Sequence, residues 1–402
     1  MSRAQAPDPP GTASRRAALR LLDAVLRKGL PLESALAAAA RDLDRPDDRA
    51  FAHAIAAEAL RRLPDLDELI DHATKKRLPD DAKARSALRI ALVQALALGT
   101  PHHAAISTVL PLVDGGPRKL VHGVFSTVMR QQWALPEVPH LPAGVVERWR
   151  KAWGGDVVEA AARLIAAPPP IDLQGEPPAA LAGASLMPGH LRLPRGTAIA
   201  YDEGRYWAQD ISASTPARLL GKGEGRSALD LCAAPGGKTM QLAAAGWEVT
   251  AVDISESRLA RLSENLARTG LSAKVVMADM MAWQPPAPVD AILLDAPCSA
   301  TGIYRRHPDV LYRVRPRAIA ELAAAQKAML ARAAGWLKPG GSLVYAVCSL
   351  EPEEGEEVAE DFLSRHGDYR LEERQRILPG AWEAQGGADS FFIACFVRNK
   401  RG

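Results

Sequence analysis

Hydrophobic positions fall into two regimes along the chain. From Ser14 to about Trp133, apolar residues recur at three- and four-residue spacing, the period of helices with one buried face. Leu19, Leu22 and Leu26 share such a face, with arginines on the other side. Further helices are predicted over 46–63, with Phe51, Ile55 and Leu60 inward, over 66–73, and over 81–98, stopped by Gly99 and Pro101. Stretches 104–113 and 117–132 complete an all-α domain with its own core. From Asp210 onward the pattern changes. Short apolar runs (ALDL, EVTAVDI, AKVVMA, DAILLDAP, GSLVYAVCS, FFIACFV) alternate with helical stretches, which predicts a parallel sheet with helices on both faces.

Between the two regimes lies a connector. Pro136, Pro139, Pro142 and Pro168 to Pro170 flank one predicted helix over 144–165. Residues 171–208 are rich in glycine and proline, with short strands expected over 198–201 and 205–207. The expected domains are therefore a disordered segment 1–13, an all-helical domain 14–133, a connector 134–208 and an α/β domain 209–402.

Composition narrows the class. The 402 residues are 48% hydrophobic and 24% charged, ordinary for a soluble globular protein. No run of about 18 uncharged apolar residues occurs, and the N-terminal residues have no signal-peptide core, so no membrane association is expected. Cys232, Cys298, Cys348 and Cys395 lie far apart and without paired metal spacing, which predicts free thiols, no metal and a cytoplasmic setting. The net charge of +3 is uneven: residues 1–130 carry 20 basic and 15 acidic side chains, the remainder 30 and 32. A mildly basic helical front end suits nucleic acid, or is a solvated surface.

The chemistry gathers where apolar runs end. After SALDL come Cys232, Ala233, Ala234, Pro235, Gly236, Gly237 and Lys238, a tight turn into a helix, which reads as a cofactor cradle. A phosphate-binding P-loop would need a glycine where Cys232 stands. A sharp strand-to-helix turn without ligand is the plainer alternative. Asp253 ends the next run, about 20 residues on, placed for ribose hydroxyls or for a helix N-terminus. Asp279 follows the third run, near an adenine amino group or as a loop cap. The fourth run ends at Asp295, Ala296, Pro297 and Cys298, the fifth at Cys348. Two cysteines ending strands beside a cofactor loop suggest a thiolate nucleophile, although a buried cysteine is often only a small apolar residue. Tyr304, Arg305 and Arg306, with Arg313, Arg315 and Arg317, suit a base and RNA phosphates, or form a solvated helix face.

Together LDLCAAPGGKT, VDIS, LDAPCSATG, AVCS and DSFFIA resemble the RNA cytosine-5 methyltransferases that use S-adenosyl-L-methionine (AdoMet). The helical front end is similar to the antitermination factor NusB. The resemblance implies a multidomain chain with a NusB-like RNA-binding domain and a Rossmann-like core, its seven-stranded sheet mostly parallel with the last strand antiparallel. It implies AdoMet as cofactor, held by residues 232–238, by Asp253 at the ribose, by Asp279 at the adenine, and by Asp295, which also borders the cytosine. Cys348 would be the nucleophile, forming an adduct at C6, and Cys298 would serve product release. Cys298 is the alternative nucleophile, by analogy with DNA cytosine-5 enzymes. Tyr304, Arg305 and Arg306 would meet RNA. The implied partner is 16S rRNA or a small-subunit intermediate, acted on by a monomer. Alternatives are tRNA or another rRNA, and a non-catalytic RNA-binding or ribosome assembly factor. Relatives place a larger RNA-binding subdomain before the core, so segment 170–208 reads as a reduced version of it.

Overall fold

The structure, a computed structural model, describes residues 8–194, 197, 199 and 204–400. Most of the strand expected over 198–201 lies outside these residues, as do residues 1–7 of the N-terminal segment. The described chain divides into two compact units. One holds the residues up to Arg148 together with His307–Arg313, the other Trp149–Arg306 and the residues from Val314 onward.

The first unit is helical. Helices at Thr12–Leu26, Leu32–Ala39, Pro46–Arg61, Leu63–His72, Lys83–Leu96, His102–Ser107 and Gly116–Arg130 close over one large apolar cluster, with a small second one at Ala17, Ala40, Leu43 and Ala52. Leu21, Leu22, Ile55, Leu60, Leu88 and Val121 are fully buried in the large one. Pro46 pre-sets the first turn of its helix, and Asp47 and Asp48 sit at the positive end of the dipole. The helix Leu32–Ala39 is not visible in the sequence pattern, because four of its eight residues are alanines that mark no face.

The predicted helix over 144–165 is two, Ala143–Trp153 and Gly155–Ile165, interrupted at Gly154, where φ is 89°. The second unit then forms strands β1 (Ile171–Gly175), β2 (His190–Leu193) and β3 (Tyr206–Ala208), a small antiparallel sheet in the order β2-β1-β3. Asp172 of β1 is buried and accepts 2.7 and 2.8 Å hydrogen bonds from the Arg192 guanidinium and a 2.9 Å bond from the Ile211 amide.

The main sheet has seven strands, β4 (Ser227–Leu231), β5 (Glu248–Asp253), β6 (Lys274–Met277), β7 (Val289–Asp295), β8 (Leu337–Val347), β9 (Tyr369–Ile377) and β10 (Phe391–Arg398). Their order is β6-β5-β4-β7-β8-β10-β9. Strands β4 to β8 run parallel, and β10 lies antiparallel between β8 and β9. Alternate side chains bury both faces. Leu229, Leu294, Leu343 and Tyr345 share a cluster with helices Pro316–Ala334 and Glu356–Arg365. Ala228, Leu293, Val344 and Ile393 share another with helices Ile211–Arg218 and Gly237–Ala244. The strand order reverses between β4 and β7, which opens a crevice at their carboxyl ends, where such sheets bind ligands.

Candidate active site

Five strand ends on that rim carry the residues singled out in the sequence. Leu231 ends β4, and Cys232 follows in the left-handed region at φ 60°. The Ala233 amide still pairs with Val252 O of β5 at 3.1 Å, so the loop leaves the sheet gradually. Gly236 then turns the chain at φ 105°, and a Cβ there would lie 2.8 Å from the Leu262 side chain. Only glycine fits that turn. The helix Gly237–Ala244 starts immediately after it, with no side chain capping its first amides.

Beside this loop lies a cavity of about 460 Å³. Ala233, Ala234, Pro235, Gly237, Lys238 and Asp295 line one side, and Trp207, Gln209, Asn265 and Arg268 the other. That volume is in the range of small-molecule sites. Gln209 is fixed by donating to Ala213 O (3.0 Å) and Gln241 Oε1 (2.9 Å).

Asp253 ends β5 and is buried. Its Oδ2 accepts from the Ala234 amide at 3.1 Å, its Oδ1 from the Ser255 amide at 2.9 Å, and Arg258 lies 3.4 Å away. Asp253 thus ties the glycine loop to the next strand. Asp279 is exposed beyond β6 and accepts from the Met281 amide at 2.8 Å. Nearby strand ends expose Ile254 (69%) and Met277 (62%), large apolar side chains without cover.

The third group is polar. Lys238 Nζ donates to Asp295 Oδ2 at 2.7 Å. Burial works against the ammonium, but the charges of Asp295, Cys348 and Asp230 outweigh it and hold the Lys238 pKa above its ordinary value. Asp230, inside β4, is fully buried and accepts from Thr239 Oγ1 at 2.6 Å. Burial pushes its pKa up to about 7, against the hydrogen bond from Thr239 and the charge of Lys238.

Strands β7 and β8 are neighbours, so Cys298 and Cys348 meet, with 3.5 Å between their sulfurs. The Cys298 thiol is pushed well above its usual pKa, first by its hydrogen bond to Cys348, then by burial and the nearby negative charges of Cys348 and Glu354. Cys232 is pushed up to about 12 by burial and the charges of Asp295 and Asp253. Cys395 packs in the core beneath β10. Gly302 N donates to Cys348 O (3.0 Å), which joins the loops that carry the thiols, and Ser390 N donates to Gly302 O (2.9 Å), which holds the Cys298 loop to the residues before β10.

The expected RNA contacts at 304–306 need correction. Tyr304 and Arg305 are 1% exposed, so neither can stack on a base nor reach a phosphate. Tyr304 packs against Trp149, ring centres 5.4 Å apart. Arg305 pairs with Asp210 (3.1 Å) and Asp389 (3.2 Å). Arg306 pairs with the same two carboxylates, at 2.6 and 3.0 Å. The four charges offset one another and tie this loop to Asp210 and Asp389, while Arg306 keeps 29% of its side chain exposed. Arg315 and Arg317 remain exposed. Sequence reasoning missed Glu354, Gln326 and Asp210 around the site. Glu354 sits in the run EPEEGEE, where nothing distinguishes the buried Glu351 and Glu354 from the more exposed acids beside them.

Comparison with known proteins adds the family. The description "16S rRNA methyltransferase RsmB/F" matches residues 217–396, and the NusB family matches 12–130. The ribosomal RNA small subunit methyltransferase B of Erwinia tasmaniensis is 33% identical, covering 96% of this chain and 99% of its own length. That of Xylella fastidiosa is also 33% identical, over 97% and 99%. Two solved structures share the fold, each 22% identical. PH0851 has a TM-score of 0.71 over 98% of this chain and 100% of its own. A methyltransferase homologue from Pyrococcus horikoshii has a TM-score of 0.54 over 68% and 98%.

Proposed function

Because the chain belongs to the RsmB/F family of 16S rRNA methyltransferases, we propose that it methylates C5 of a cytosine in small-subunit rRNA, using AdoMet. The observation that carries the chemistry is the pair of thiols 3.5 Å apart, beside the Lys238–Asp295 ion pair and the glycine loop.

The residues present fit AdoMet. Ala233, Ala234 and Gly237 bring small side chains or none to the cavity wall, so a ligand can approach the main chain there. Asp253 would take the ribose, Asp279 the adenine amino group, and exposed Ile254 and Met277 the adenine faces. When bound, AdoMet supplies the electrophilic methyl group that a nucleophilic carbon accepts.

Cytosine C5 is too weak a nucleophile until the ring is activated. The Cys348 sulfur, its proton given up to solvent, forms a bond to C6, which moves electron density towards C5; once C5 carries the methyl group, the C5 proton leaves to a base and the carbon–sulfur bond breaks. A proton taken up from solvent between Asp295 and the N3 edge stabilises the negative charge that develops there, while Lys238 fixes the other carboxylate oxygen. Cys298, 3.5 Å from Cys348, stands next to the departing sulfur, which suits product release. The resemblance of AVCS to the RNA enzymes gives Cys348 the nucleophile's role, with Cys298 as the alternative. The charged, exposed surface needed for RNA then lies elsewhere than residues 304–306, Arg315 and Arg317 being the nearest in sequence.

Bisulfite sequencing of rRNA and tRNA from a strain lacking this gene, beside its parent, tests the reading. One lost 5-methylcytosine in 16S rRNA is expected. A lost tRNA mark would move the substrate, and no lost mark would favour an assembly factor. On a denaturing gel, Cys298→Ala is expected to accumulate a covalent protein–RNA adduct and Cys348→Ala to form none. The reverse pattern would exchange their roles.

A further inference from the structure

One buried carboxylate outside the reaction sequence touches both thiol loops. Glu354 is fully buried, and among the described residues no basic side chain pairs with it. Its Oε1 accepts from the Ser299 amide (2.8 Å) and from Gln326 Nε2 (3.1 Å). Its Oε2 accepts from the Ser299 and Ser349 hydroxyls, both at 2.5 Å. Ser299 directly follows Cys298, and Ser349 directly follows Cys348. Gln326, on the helix beneath, also donates to Pro297 O at 2.8 Å. The two loops therefore meet on a single charge one residue away from each sulfur.

Burying an unpaired carboxylate is costly, and protein cores usually avoid it. A glutamine could keep these four contacts only by reversing two of them, its N–H groups donating to the serine hydroxyls, which have lone pairs free to accept. The bonds would then be neutral, about half as strong as the charge-assisted ones that a carboxylate makes. We infer that Glu354 is a positioning residue that clamps the loops of Cys298 and Cys348 together and sets the spacing of their sulfurs. The inference rests on the two-thiol reading of the site. Its consequence is geometric: release the clamp, and the thiols drift apart while the cavity beside the glycine loop, which Glu354 does not line, stays intact.

The test compares Glu354→Gln with the parent in three measurements on the full chain. The first is AdoMet affinity by calorimetry. The second is the rate at which diamide, an azo oxidant, joins Cys298 to Cys348, read by mass spectrometry. In that reaction each thiol gives up its hydrogen, a sulfur–sulfur bond forms, and the azo group is reduced to a hydrazine. The third is the rate of adduct formation on 16S rRNA carrying 5-fluorocytidine, a base that cannot lose its C5 substituent as a proton. We expect unchanged AdoMet affinity, a disulfide rate lowered about tenfold and an adduct rate lowered about 100-fold, the scale of a misplacement near 1 Å. Removing the negative charge of Glu354 would by itself ease ionisation of Cys298 and speed oxidation, so a slower rate reports geometry. Ser349→Ala, which removes the tie to Glu354 together with the hydroxyl's contacts to Ser299, Thr301 and the Glu351 amide, is expected to slow both reactions in the same direction. Wild-type disulfide rates in both variants would overturn the clamp. So would loss of AdoMet binding in Glu354→Gln, which would make the residue a general support of the core. If the parent forms no adduct with RNA while Glu354→Gln still slows the disulfide, the clamp stands and the methylation chemistry falls.

Discussion

At the scale of single residues, Asp230 is the clearest physical anomaly. It is a strand carboxylate, fully buried, with one oxygen bonded to Thr239 and the other without a partner. Burial raises its pKa to about 7 in the folded chain, against about 4 when unfolded. The folded state therefore binds the proton more tightly, and its stability falls as pH rises from about 4 to about 7, then stays low. Asn at this position keeps an oxygen for Thr239 and cannot ionise. Asp230→Asn is thus expected to raise the melting temperature relative to wild type more at pH 8.5 than at pH 5. Thermal unfolding at both pH values checks this, and a difference independent of pH would remove the explanation. The sequence showed the residue type and its strand, LDL, but not the burial or the missing partner. Cys298 and Cys348 were legible for the opposite reason, because strand ends on a shared rim are set by topology. Tyr304 and Arg305 were misread because a run of arginines carries no record of which side chains find acids from 95 and 84 residues away.

At the scale of elements, the fold was legible wherever one face is apolar. Six of the seven main strands were visible as apolar runs, because parallel strands buried on both faces are nearly continuous in hydrophobic residues. Strand β9, YRLEERQRI, was not. It is the edge of the sheet, with five consecutive exposed residues, and charge on an edge strand protects it from pairing with other chains. The loops are held by close backbone contacts that no pattern reveals. Gly302 is the tightest case. A Cβ there would lie 2.2 Å from Ser390 O and 2.9 Å from Cys348 O, both rigid backbone atoms. Gly302→Ala must push the Cys298 loop away from β8 and β10, and is expected to cost about 1–3 kcal/mol of stability. It should also separate the thiols and slow the diamide cross-link described above, without affecting AdoMet affinity. An unfolding midpoint within error of wild type would show that the loop relaxes freely and that these contacts do not hold it.

At the scale of the whole molecule, the chain is not divided where its sequence changes regime. The helical unit is completed by His307–Arg313, a segment that follows the Cys298 loop in sequence and precedes the helix Pro316–Ala334. Asp309 accepts from the Leu32 amide at 3.4 Å and from Arg313 at 2.9 Å, and the Tyr312 hydroxyl donates to Leu60 O at 2.8 Å. The basic stretch 305–317 therefore serves several purposes: Arg305 and Arg306 in a buried ionic cluster, Arg313 beside Asp309, and Arg315 and Arg317 at the surface. Sequence alone treats these five arginines as one feature, since charge spacing does not encode the partner. If the segment is part of the helical unit, weakening it must loosen that unit selectively. Tyr312→Phe keeps the ring that packs against the helical cluster and removes only its hydroxyl, leaving Leu60 O without that donor. The expected loss is about 1–2 kcal/mol, read as roughly tenfold faster amide exchange in the helix Pro46–Arg61, with exchange in β4, β5, β7 and β8 unchanged. Hydrogen exchange followed by mass spectrometry resolves the two regions. Unchanged exchange in Pro46–Arg61 would show that Tyr312 does not support this unit, and equal acceleration in the seven-stranded sheet would show that the substitution acts on the chain as a whole.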